Sequence, residues 1–575
     1  MSPLILYEPE NPGLPWLVAA QAGLGSLRSL QLNLNPAVER AGILHKSALR
    51  RGMLDLICSD GSHPQGEPKF LPADVLHEVL AAKRHAVDVH GRRLYVEWDP
   101  HAPVTPLGQL VYFSQFLATA GLFSQWVADC PRRYTSPNAP SLTDVLGTQT
   151  LAILAGSKRY AHVTALRGDT INPQGLGMSR VLSEDALRRA FQDEAAAPLE
   201  AWQRRHLLQS MEPALREPWI CDVDVTIKTL YGHQEGAEVG YNPHKAGRPA
   251  HAYHTFFVSR LRLALDVVVA SGKAFHSQAV RASLWSWWET LAPACRPHLL
   301  RMDCGFGNEG FLVGCEERQQ NYLARVRLTK GVQQLIRALS GHGGWKSCGA
   351  GWAGVEGELR LQGWSRSRRV AVLRRRLEPE PPPALSAAAD GTPELVVVAP
   401  EDPYEYTVLV TNTDWELLTL ARLYRERADS ENIIDELKRQ WGWGGFVTKD
   451  LLRCQVAARS VALIYNWWSL FVRCVDPQRP REAVTSRPLL MHAVGRTVSH
   501  AGQTTVILTS THAQAGRVQE LLTNLSRFLS GLQNAAEQLT RVQCWERIWE
   551  RILTPFRKLE AACRMFFGQE ARLSG

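Results

Sequence analysis

The chain has 575 residues, a formal net charge of +9 and a pI near 9.0, so we expect three or four structural units and a polyanionic partner such as nucleic acid. Its 11 cysteines are odd in number and include no Cys-x-x-Cys pair, which argues against a disulfide framework or a zinc ribbon and favours a reducing cytoplasm. The N-terminus lacks the pattern of an export signal, and no apolar run is long enough for a membrane span.

The first two regions contain little that indicates chemistry. Residues 1–105 have Gly and Pro breaks and no recognisable motif, so their role stays unassigned. Residues 106–215 show helical patterning, which begins at LGQLVYFSQFLATAGLFSQWV, and we interpret them as a helical DNA-binding region. Within VLSEDALRRAF, Ser183 is predicted to cap a helix that ends in Arg188 and Arg189. This helix could lie on the surface or contact a DNA end.

The pattern changes from helical to alternating at Trp219. The segment WICDVDVTIKTL predicts a buried strand with Asp222 and Asp224 on one face, where two acids would repel each other unless a cation lies between them. HTFFVS and LRLALDVVVA predict further strands, and SLWSWWETL predicts a helix. Next, HLLRMDCGFGNEG predicts a short strand that ends in Asp303 before a glycine turn. Such an acid is either a site residue or only the start of a turn.

Residues 331–404 form a predicted β-rich basic insertion. It contains the basic run WSRSRRVAVLRRR and a Pro/Ala-rich segment, EPEPPPALSAAADG. Alternating Val370 and Val372 among arginines predict a hairpin with a cationic face, and a solvated charge run is the alternative. Because the insertion lies between candidate catalytic residues, we predict that Arg368 and Arg369 contact DNA phosphates and that Trp364 also contacts DNA.

A single long helix is predicted downstream, because neither Gly nor Pro occurs between Leu417 and Gly442. At about 100° per residue, one stripe at the rim of its buried face carries four polar residues, namely Tyr424, Arg427, Glu431 and Lys438. The side chains predicted to point into solvent are Arg425, Asp429, Asn432 and Glu436. The alternative is an ordinary amphipathic helix in which Arg427 and Glu431 form an ion pair.

Three acids in this order suit metal-dependent chemistry on a phosphodiester. Asp224 lies in a strand, Asp303 at a strand end and Glu431 on a helix. Two divalent ions could activate an attacking oxygen and neutralise the leaving one, and Mg²⁺ prefers oxygen ligands. We therefore predict that these acids are catalytic and bind two Mg²⁺ ions, for which Mn²⁺ could substitute.

The same segments resemble a known family. YRERADSENIIDELK (Tyr424 to Lys438) resembles the YREK signature of bacterial insertion-sequence transposases of the DDE type, including its six-residue gap. DVDVT and RMDCGFGNEG resemble the first- and second-aspartate motifs of that family, which selects Asp224 over Asp222 and gives Asp303. GHQEGAEVGYNPHKAGRP also resembles the stretch that follows the first aspartate. The resemblance covers residues 150–475 and is weak outside them.

The resemblance implies an α/β fold with an RNase H-like core. Such a core is a mixed β sheet flanked by helices, with a β-rich insertion before the glutamate helix and additional helical regions at the N- and C-terminal ends. The expected boundaries are 216–330 for the first part of the core, 405–475 for its second part, and 476–575 for a C-terminal helical region that could mediate dimerisation. DLLRCQVAARSVALIYNWWSLFVR is expected to be a core helix.

The resemblance also implies DNA contacts. Arg427 and Lys438 would clamp phosphates, and Tyr424 would contact the DNA backbone near the cut. Three tryptophans of the insertion are candidate platforms for a flipped base, namely Trp345, Trp352 and Trp364. Three residues of the polar loop are candidate DNA contacts, although a structured loop explains them nearly as well, namely His244, Lys245 and Arg248.

The expected function is that of a DNA transposase. It would cleave transposon ends in a metal-dependent reaction and transfer the strands into target DNA. Its partners would be double-stranded DNA, as terminal inverted repeats and target, and a second copy of itself in a homodimeric synaptic complex. The expected location is the bacterial cytoplasm, in association with the nucleoid. Two alternatives remain open: a catalytically silent DNA-binding protein derived from a transposase, and a structure-specific nuclease with an RNase H-like core. A glycosidase is less favoured, because the acids are accompanied by Arg and Lys.

Overall fold

The computed structural model describes residues 84–99, 102–243, 245–275, 277–341, 343–377, 404–477, 481–555 and 557, together with the short strands Ile5–Tyr7 and Leu17–Ala19. The chain divides into two units, Met1–Ala102 and Pro103–Gly575. In the first unit, Ile5–Tyr7 pairs with Leu17–Ala19, and Arg84–Val89 pairs with Arg92–Glu97; both pairs are antiparallel. Among the helices of the described ranges, none is long and apolar enough to cross a bilayer.

A ten-stranded mixed sheet forms the centre of the second unit. In chain order its strands are β1 (Ile220–Thr229), β2 (Glu238–Val239), β3 (Pro249–Val258), β4 (Leu263–Ser271), β5 (Leu299–Met302), β6 (Tyr322–Arg325), β7 (Lys346–Ser347), β8 (Trp352–Leu359), β9 (Arg368–Arg376) and β10 (Tyr404–Thr411). Across the sheet the order is β7-β8-β9-β10-β6-β5-β1-β3-β2, with β4 paired to β3. β1 is antiparallel to β3 and parallel to β5, which is parallel to β6.

The insertion extends this sheet. The predicted hairpin is present as β8 and β9, and β9 continues into an antiparallel pair with β10. Val370 and Val372 lie opposite Val410 and Val408, and all four side chains are buried, which explains the apolar alternation among the arginines. The Pro/Ala-rich segment lies outside the described residues.

Helices flank the sheet, which confirms the predicted fold class. Before β1 the helices are Leu110–Ala120, Leu122–Ala128, Leu142–Leu154, Tyr160–Leu166 (a 3₁₀ helix), Asn172–Gly175, Glu184–Arg189, Ala196–Gln209 and Glu212–Leu215. Between β4 and β7 they are Gly272–Phe275 and Pro293–Cys295 (both 3₁₀), Ser277–Trp288, Glu309–Glu317 and Lys330–Ser340.

The hydroxyl of Ser183 accepts a bond from the Ala186 amide at 3.3 Å, so the predicted cap of helix Glu184–Arg189 is also confirmed.

The prediction of a single helix between Leu417 and Gly442, the part of the chain that contains the YREK-like residues, is wrong. The structure has two helices, α1 (Leu417–Arg425) and α2 (Ala428–Gln440). At the break, the amide of Arg427 bonds the Tyr424 carbonyl at 3.1 Å, and the amide of Ser430 bonds the Arg427 carbonyl at 2.9 Å. These are tighter, 3₁₀-type bonds. The break allows Arg427 to point into the protein, where it is buried.

A long helix, α3 (Leu451–Val475), covers the free edge of β4. The Asn466 side chain accepts a bond from the Ala264 amide at 2.8 Å and donates one to the Ala264 carbonyl at 2.7 Å. Gln455 bonds the amide of Val269 and the carbonyl of Val267 in the same way. Polar side chains of an otherwise apolar helix thus satisfy strand groups that have no neighbouring strand. The expectation that α3 is a core helix is confirmed.

The C-terminal region was expected to be helical, but it also contains β structure. Between the helices Ala483–Leu490 and Ala515–Asn534 it contains an antiparallel hairpin, Val494–His500 with Gln503–Thr509, and the hairpin also pairs with the strand Val104–Thr105. A further helical stretch covers residues 541–555. The β-branched content of GQTTVILT explains this hairpin.

Candidate active site

The three predicted acids come from three neighbouring elements. Asp224 lies within β1, Asp303 directly follows β5, and Glu431 is in the first turn of α2. β1 and β5 are parallel neighbours in which Met302 pairs with Val223, so the next residue of each strand is also adjacent. The sheet register therefore places Asp303 beside Asp224, at about the 4.8 Å spacing of neighbouring strands.

Arg427 joins the first acid to the third. Its Nη2 lies 2.7 Å from Oδ2 of Asp224, and its Nη1 lies 3.5 Å from Oε1 of Glu431. The side chains of Arg427 and Asp224 are 7% and 16% exposed, whereas that of Glu431 is 71% exposed. The ion pair of the alternative interpretation therefore exists, but it belongs to a larger charged group that includes a strand acid.

A cavity of about 230 Å³ opens at this point. Asp303 and Glu431 line it together with three arginines, so its wall carries charges of both signs. Its lining is completed by apolar and aromatic groups; the full set is Asp303, Arg325, Trp352, Leu373, Thr407, Ala421, Tyr424, Arg425, Arg427, Ala428 and Glu431. An anionic ligand with an associated cation would match such a wall.

Asp224 is held in an environment that opposes its charge. The pKa of Asp224 is raised to about 6, chiefly by burial and also by the nearby acids Asp303 and Glu431, while Arg427 and the Val225 amide act in the opposite direction. The Arg427 guanidinium therefore does not fully compensate the carboxylates. Additional positive charge at this place would be stabilising.

The donor set suits a divalent metal in its chemistry. Carboxylate oxygens are the ligands that Mg²⁺ prefers, and the acids converge from three elements. Within the described ranges, no three His, Cys, Asp or Glu side chains lie close enough together to hold one ion as they stand. The cation that now lies between Asp224 and Glu431 is Arg427. Metal binding at the three acids would therefore require a shift of these side chains.

The two aspartates of β1 have separate partners. Asp222 is fully buried and paired at two points with Arg301, at 2.6 and 2.8 Å. Arg301 also donates to Oγ of Ser259 at 2.6 Å and to the carbonyl of Leu423. One buried arginine thus connects β1, β5 and the end of α1, which are the segments that present the candidate acids.

The other two residues of the signature stretch are near the acids. Tyr424 is partly buried and lines the cavity. Lys438 is also partly buried, and its Nζ donates to Oγ1 of Thr226, two residues after Asp224 on β1. Both residues border the acids, and within the described ranges neither forms an ion pair.

The polar loop after β1 has an exposed cationic group. Lys245 donates to the hydroxyl of Tyr231, and Arg248 lies 5.9 Å from the centre of the Tyr231 ring. His244, predicted as a DNA contact with them, lies outside the described residues. The loop is therefore ordered by its own contacts and still presents positive charge.

Three predicted DNA contacts of the insertion have partners within the protein. Arg368 is 3% exposed and pairs with Glu316 at 2.8 Å and Glu309 at 2.7 Å. Trp364 is buried beside the Arg368 guanidinium, which lies 5.1 Å from the centre of its ring. Arg369 donates to Glu356 and to two backbone carbonyls, those of Thr413 and Trp415. Helix Glu309–Glu317 and the sheet thus provide these side chains with partners inside the protein, and their contact with DNA stays a prediction.

The other tryptophans of the insertion lie against arginines that the predictions omitted. The guanidinium of Arg374 lies 3.8 Å from the ring centre of Trp345, and that of Arg375 lies 5.2 Å from that of Trp352. Trp352 also lines the cavity. Both arginines belong to the run RRR at the end of β9, where the strand extends beyond its buried part. This position in the basic run was the sequence signal that could have identified them.

Two further features of the site were missed. Arg325, at the end of β6, and Arg425 both line the cavity, and only the sheet order reveals the first. Glu436, predicted to face solvent, is buried: it accepts bonds from the Ala483 amide at 3.0 Å and from Nε1 of Trp441 at 3.2 Å. The wrong side was predicted because the C-terminal region covers the outer face of α2.

Comparison with known proteins agrees with this geometry. Residues 215–467, which contain all three acids, match the family described as "Transposase DDE domain". No curated protein matches the chain significantly. Among solved structures, the cryo-EM structure of a piggyBac transposase synaptic complex with hairpin DNA is similar at 10% identity and a TM-score of 0.33, over 77% of this chain and 85% of that one. A similarity this low carries no weight beside the family match. Residues 215–467 thus match a transposase DDE domain, and this match supports the function of a DNA transposase.

Proposed function

We propose that Asp224, Asp303 and Glu431 are the catalytic acids of this transposase and that they cleave DNA at transposon ends and transfer the strands into target DNA. The observation that carries the proposal is their convergence around Arg427, from a strand, a strand end and a helix. Phosphodiester chemistry needs an oxygen nucleophile aligned with the leaving oxygen, and acids from separate elements can hold both sides of such a reaction.

The same acids would hold the metal. We propose Mg²⁺, as two ions, with Mn²⁺ as a substitute. When bound, the metal would activate the attacking water or 3′-hydroxyl and neutralise the leaving oxygen. The raised pKa of Asp224, caused by burial beside two other acids, supports a need for positive charge there. Arg427 supplies part of that charge, and we propose that it turns to a DNA phosphate when metal binds.

Arg427, Tyr424 and Lys438 would hold the DNA backbone beside the acids. Together with Glu431 they form the proposed YREK signature. All four face the region that contains Asp224 and the cavity. A guanidinium, an ammonium and a phenol hydroxyl can each donate to a phosphate oxygen, so they would fix the position of the strand without reading its sequence.

A second group of DNA contacts is proposed on the insertion. Arg374 and Arg375 are proposed for this role ahead of Arg368, Arg369 and Trp364, whose side chains have partners within the protein. Each of the two rests on an aromatic ring, and the ring beneath Arg375 belongs to Trp352, which borders the cavity. A DNA strand leaving the cavity would therefore meet these cations. Lys245 and Arg248 are proposed to contact DNA from the polar loop.

The partners and location follow from this function. We propose that the chain binds terminal inverted repeats and target DNA and acts as a homodimer in the synaptic complex. We further propose that it belongs to a bacterial insertion sequence and acts in the cytoplasm at the nucleoid. The basic charge of the chain supports a DNA partner.

A cleavage assay tests the proposal. The substrate is the DNA that flanks the gene, which would contain the inverted repeats, and the products are resolved with Mg²⁺ present and absent. We expect D224N, D303N and E431Q to abolish cleavage while DNA binding is retained. Matched controls are D429N and E426Q, which neutralise exposed acids on and next to α2. Undiminished cleavage by the three variants would overturn the assignment.

Joined products distinguish transposition from simple cleavage. When a target plasmid is added, a transposase yields products in which the substrate ends are covalently joined to the target. Cleavage without joined products would instead indicate a structure-specific nuclease. DNA binding without any cleavage by the wild-type protein would indicate a silent relative.

A further inference from the structure

The far end of β1 carries a lysine that has no acidic partner in the part of the chain that the structure describes. Lys228 is partly buried, and it forms no ion pair with a carboxylate of the described residues. Its neighbours are instead the Tyr231 hydroxyl and the Arg159 guanidinium. Burial lowers the pKa of Lys228, and Arg159 lowers it further, while Tyr231 raises it. A cation held in this way lacks the counter-charge that such a group normally has.

The position of Lys228 is fixed by the fold. Alternation along β1 places Asp224, Thr226 and Lys228 on one face of the sheet. The stem of Lys228 passes over Gly444, where a Cβ would lie only 3.1 Å from its Cδ. Gly444 also has a φ of +72°, so a side chain there would be strained as well as crowded. The glycine thus leaves room for the lysine stem.

Cations from three parts of the chain meet at this place. Lys438 reaches it from α2, where its Nζ donates to Thr226. Arg159 reaches it from the segment before the 3₁₀ helix Tyr160–Leu166 and is exposed. Thr226, which accepts the bond from Lys438, lies two residues before Lys228 on the same face of β1, so the two ammonium groups belong to one region of that face. Like charges held together in this way indicate an anionic ligand.

The ligand class follows from the distance to the acids. Two residues of a strand span about 6.6 Å, so the face of β1 leads from the candidate catalytic acid past Thr226 to Lys228 over about 13 Å. We propose that Lys228 and Arg159 bind a backbone phosphate of the DNA strand held by Lys438, beyond the phosphate that reacts at Asp224. This inference rests on the proposed function, and it adds a binding subsite on the strand that leaves the acids along β1.

The salt dependence of DNA binding tests the subsite. Phosphate contacts are independent of sequence, so a generic duplex is sufficient, and the affinity is measured by fluorescence anisotropy from about 50 to 200 mM salt. The logarithm of the association constant falls with the logarithm of salt concentration by about 0.9 per phosphate contact on B-DNA. We expect K228Q to reduce this slope by about one contact, K228R to retain it, and K438Q to reduce it as well.

A matched control separates the subsite from general charge. R527Q removes one positive charge from the exposed face of helix Ala515–Asn534 and should leave the slope unchanged. If K438Q reduces the slope and K228Q behaves like R527Q, the subsite is wrong and the proposed function stands. If the wild-type protein shows no salt-dependent DNA binding, the proposed function itself fails.

Protection from acylation gives a second measurement that needs no variant. The full-length protein is treated with an amine-acylating reagent with and without the duplex, and modified peptides are quantified by mass spectrometry. Lys273 is the internal reference, because it is exposed and paired with Glu238 at 2.9 Å. DNA should reduce the modification of Lys228 several-fold relative to Lys273. Equal modification with and without DNA would overturn the subsite.

Discussion

One guanidinium nitrogen of Arg427 lies 2.7 Å from a carboxylate oxygen of Asp224, within the segment that matches the transposase DDE domain. The other nitrogen lies 3.5 Å from Glu431. A buried arginine is thus the internal counter-ion of the acids in the absence of ligand. Because a pair of this kind is costly to break from one side, it couples the stability of the domain to the charge of Asp224.

Removal of Arg427 should destabilise the protein in a pH-dependent way. Burial raises the pKa of Asp224 to about 6, so its ionised form is penalised and stability falls as the pH rises from its unfolded value of 3.8 through 6. Arg427 opposes this effect. We expect R427Q to lower the free energy of unfolding by about 3 kcal/mol at pH 8, and by less at pH 5, where folded Asp224 is mostly neutral.

Thermal unfolding at the two pH values measures this difference. The control is R422Q, which removes an exposed guanidinium of α1; among the described residues, its one ion-pair partner is the exposed Glu426. An equal loss of stability at pH 5 and pH 8 would show that Arg427 does not stabilise the ionised carboxylate of Asp224.

Divalent metal should stabilise the wild-type protein without DNA. A ligand that binds only the folded state at about ten times its Kd adds about 1.4 kcal/mol to the free energy of unfolding. Protons compete with metal for Asp224, so the stabilisation should weaken as the pH falls below about 6. Calorimetry with Mg²⁺ and Mn²⁺ measures it. D303N should lose the effect and D429N should keep it; an unchanged shift in D303N would separate metal binding from the acids.

The buried pair of Asp222 and Arg301 should position the catalytic segments. R301M alone leaves a buried carboxylate unpaired and should lower the free energy of unfolding by about 3 to 5 kcal/mol. The double variant D222L/R301M removes both charges and should regain much of that loss. It should nevertheless cleave DNA poorly, because the bonds from Arg301 to Ser259 and to the Leu423 carbonyl are missing.

Two measurements on the same samples separate these roles. Thermal unfolding reports the packing of the sheet, and the cleavage rate reports the positions of the acids. A double variant that is stable and fully active would show that Arg301 has no positioning role.

The ion pair that attaches the insertion to helix Glu309–Glu317 should give a different pH dependence. Burial raises the pKa of Glu309, but bonds from Arg368 and Ser365 outweigh this and lower it to about 2. A depressed carboxyl pKa contributes stability above its unfolded value of 4.5, and the contribution disappears as the pH falls towards 2. We expect E309Q to be less stable than the wild type by about 2 to 3 kcal/mol at pH 7, with a smaller difference at pH 3.

Urea unfolding at pH 7, 5, 4 and 3 follows this contribution. E317Q is the control, because Glu317 is exposed on the same helix and its carboxylate lies 3.9 Å from Arg318, which is a long distance for an ion pair. A difference between E309Q and wild type that grows as the pH falls would contradict the assignment.

Local pattern in the sequence was enough to predict several features. Alternation identified β1, and the apolar run before Asp303 identified β5, because strand signals are local. The resemblance to a family selected Asp224 over Asp222. The structure gives a physical distinction between the two, since Asp222 is held by Arg301 and Asp224 faces the other acids.

Features that depend on tertiary contacts could not be predicted in this way. The break before α2 is stabilised by the burial of Arg427, which no local signal shows. Glu436 is buried because a distant segment, beginning at Ala483, packs on its side of the helix. Arg368 was assigned to DNA for its charge, and only the sheet order shows that it faces Glu309 and Glu316.

The account depends most on the claim that Asp224, Asp303 and Glu431 act as one unit. Single-turnover cleavage rates of D224N, D303N, E431Q and the D224N/E431Q double variant test it most directly. Residues of one catalytic unit are strongly non-additive, so each single variant should lose about 1,000-fold or more and the double variant should lose little further. Rates close to wild type, or a double variant whose loss is the product of the two single losses, would contradict the claim.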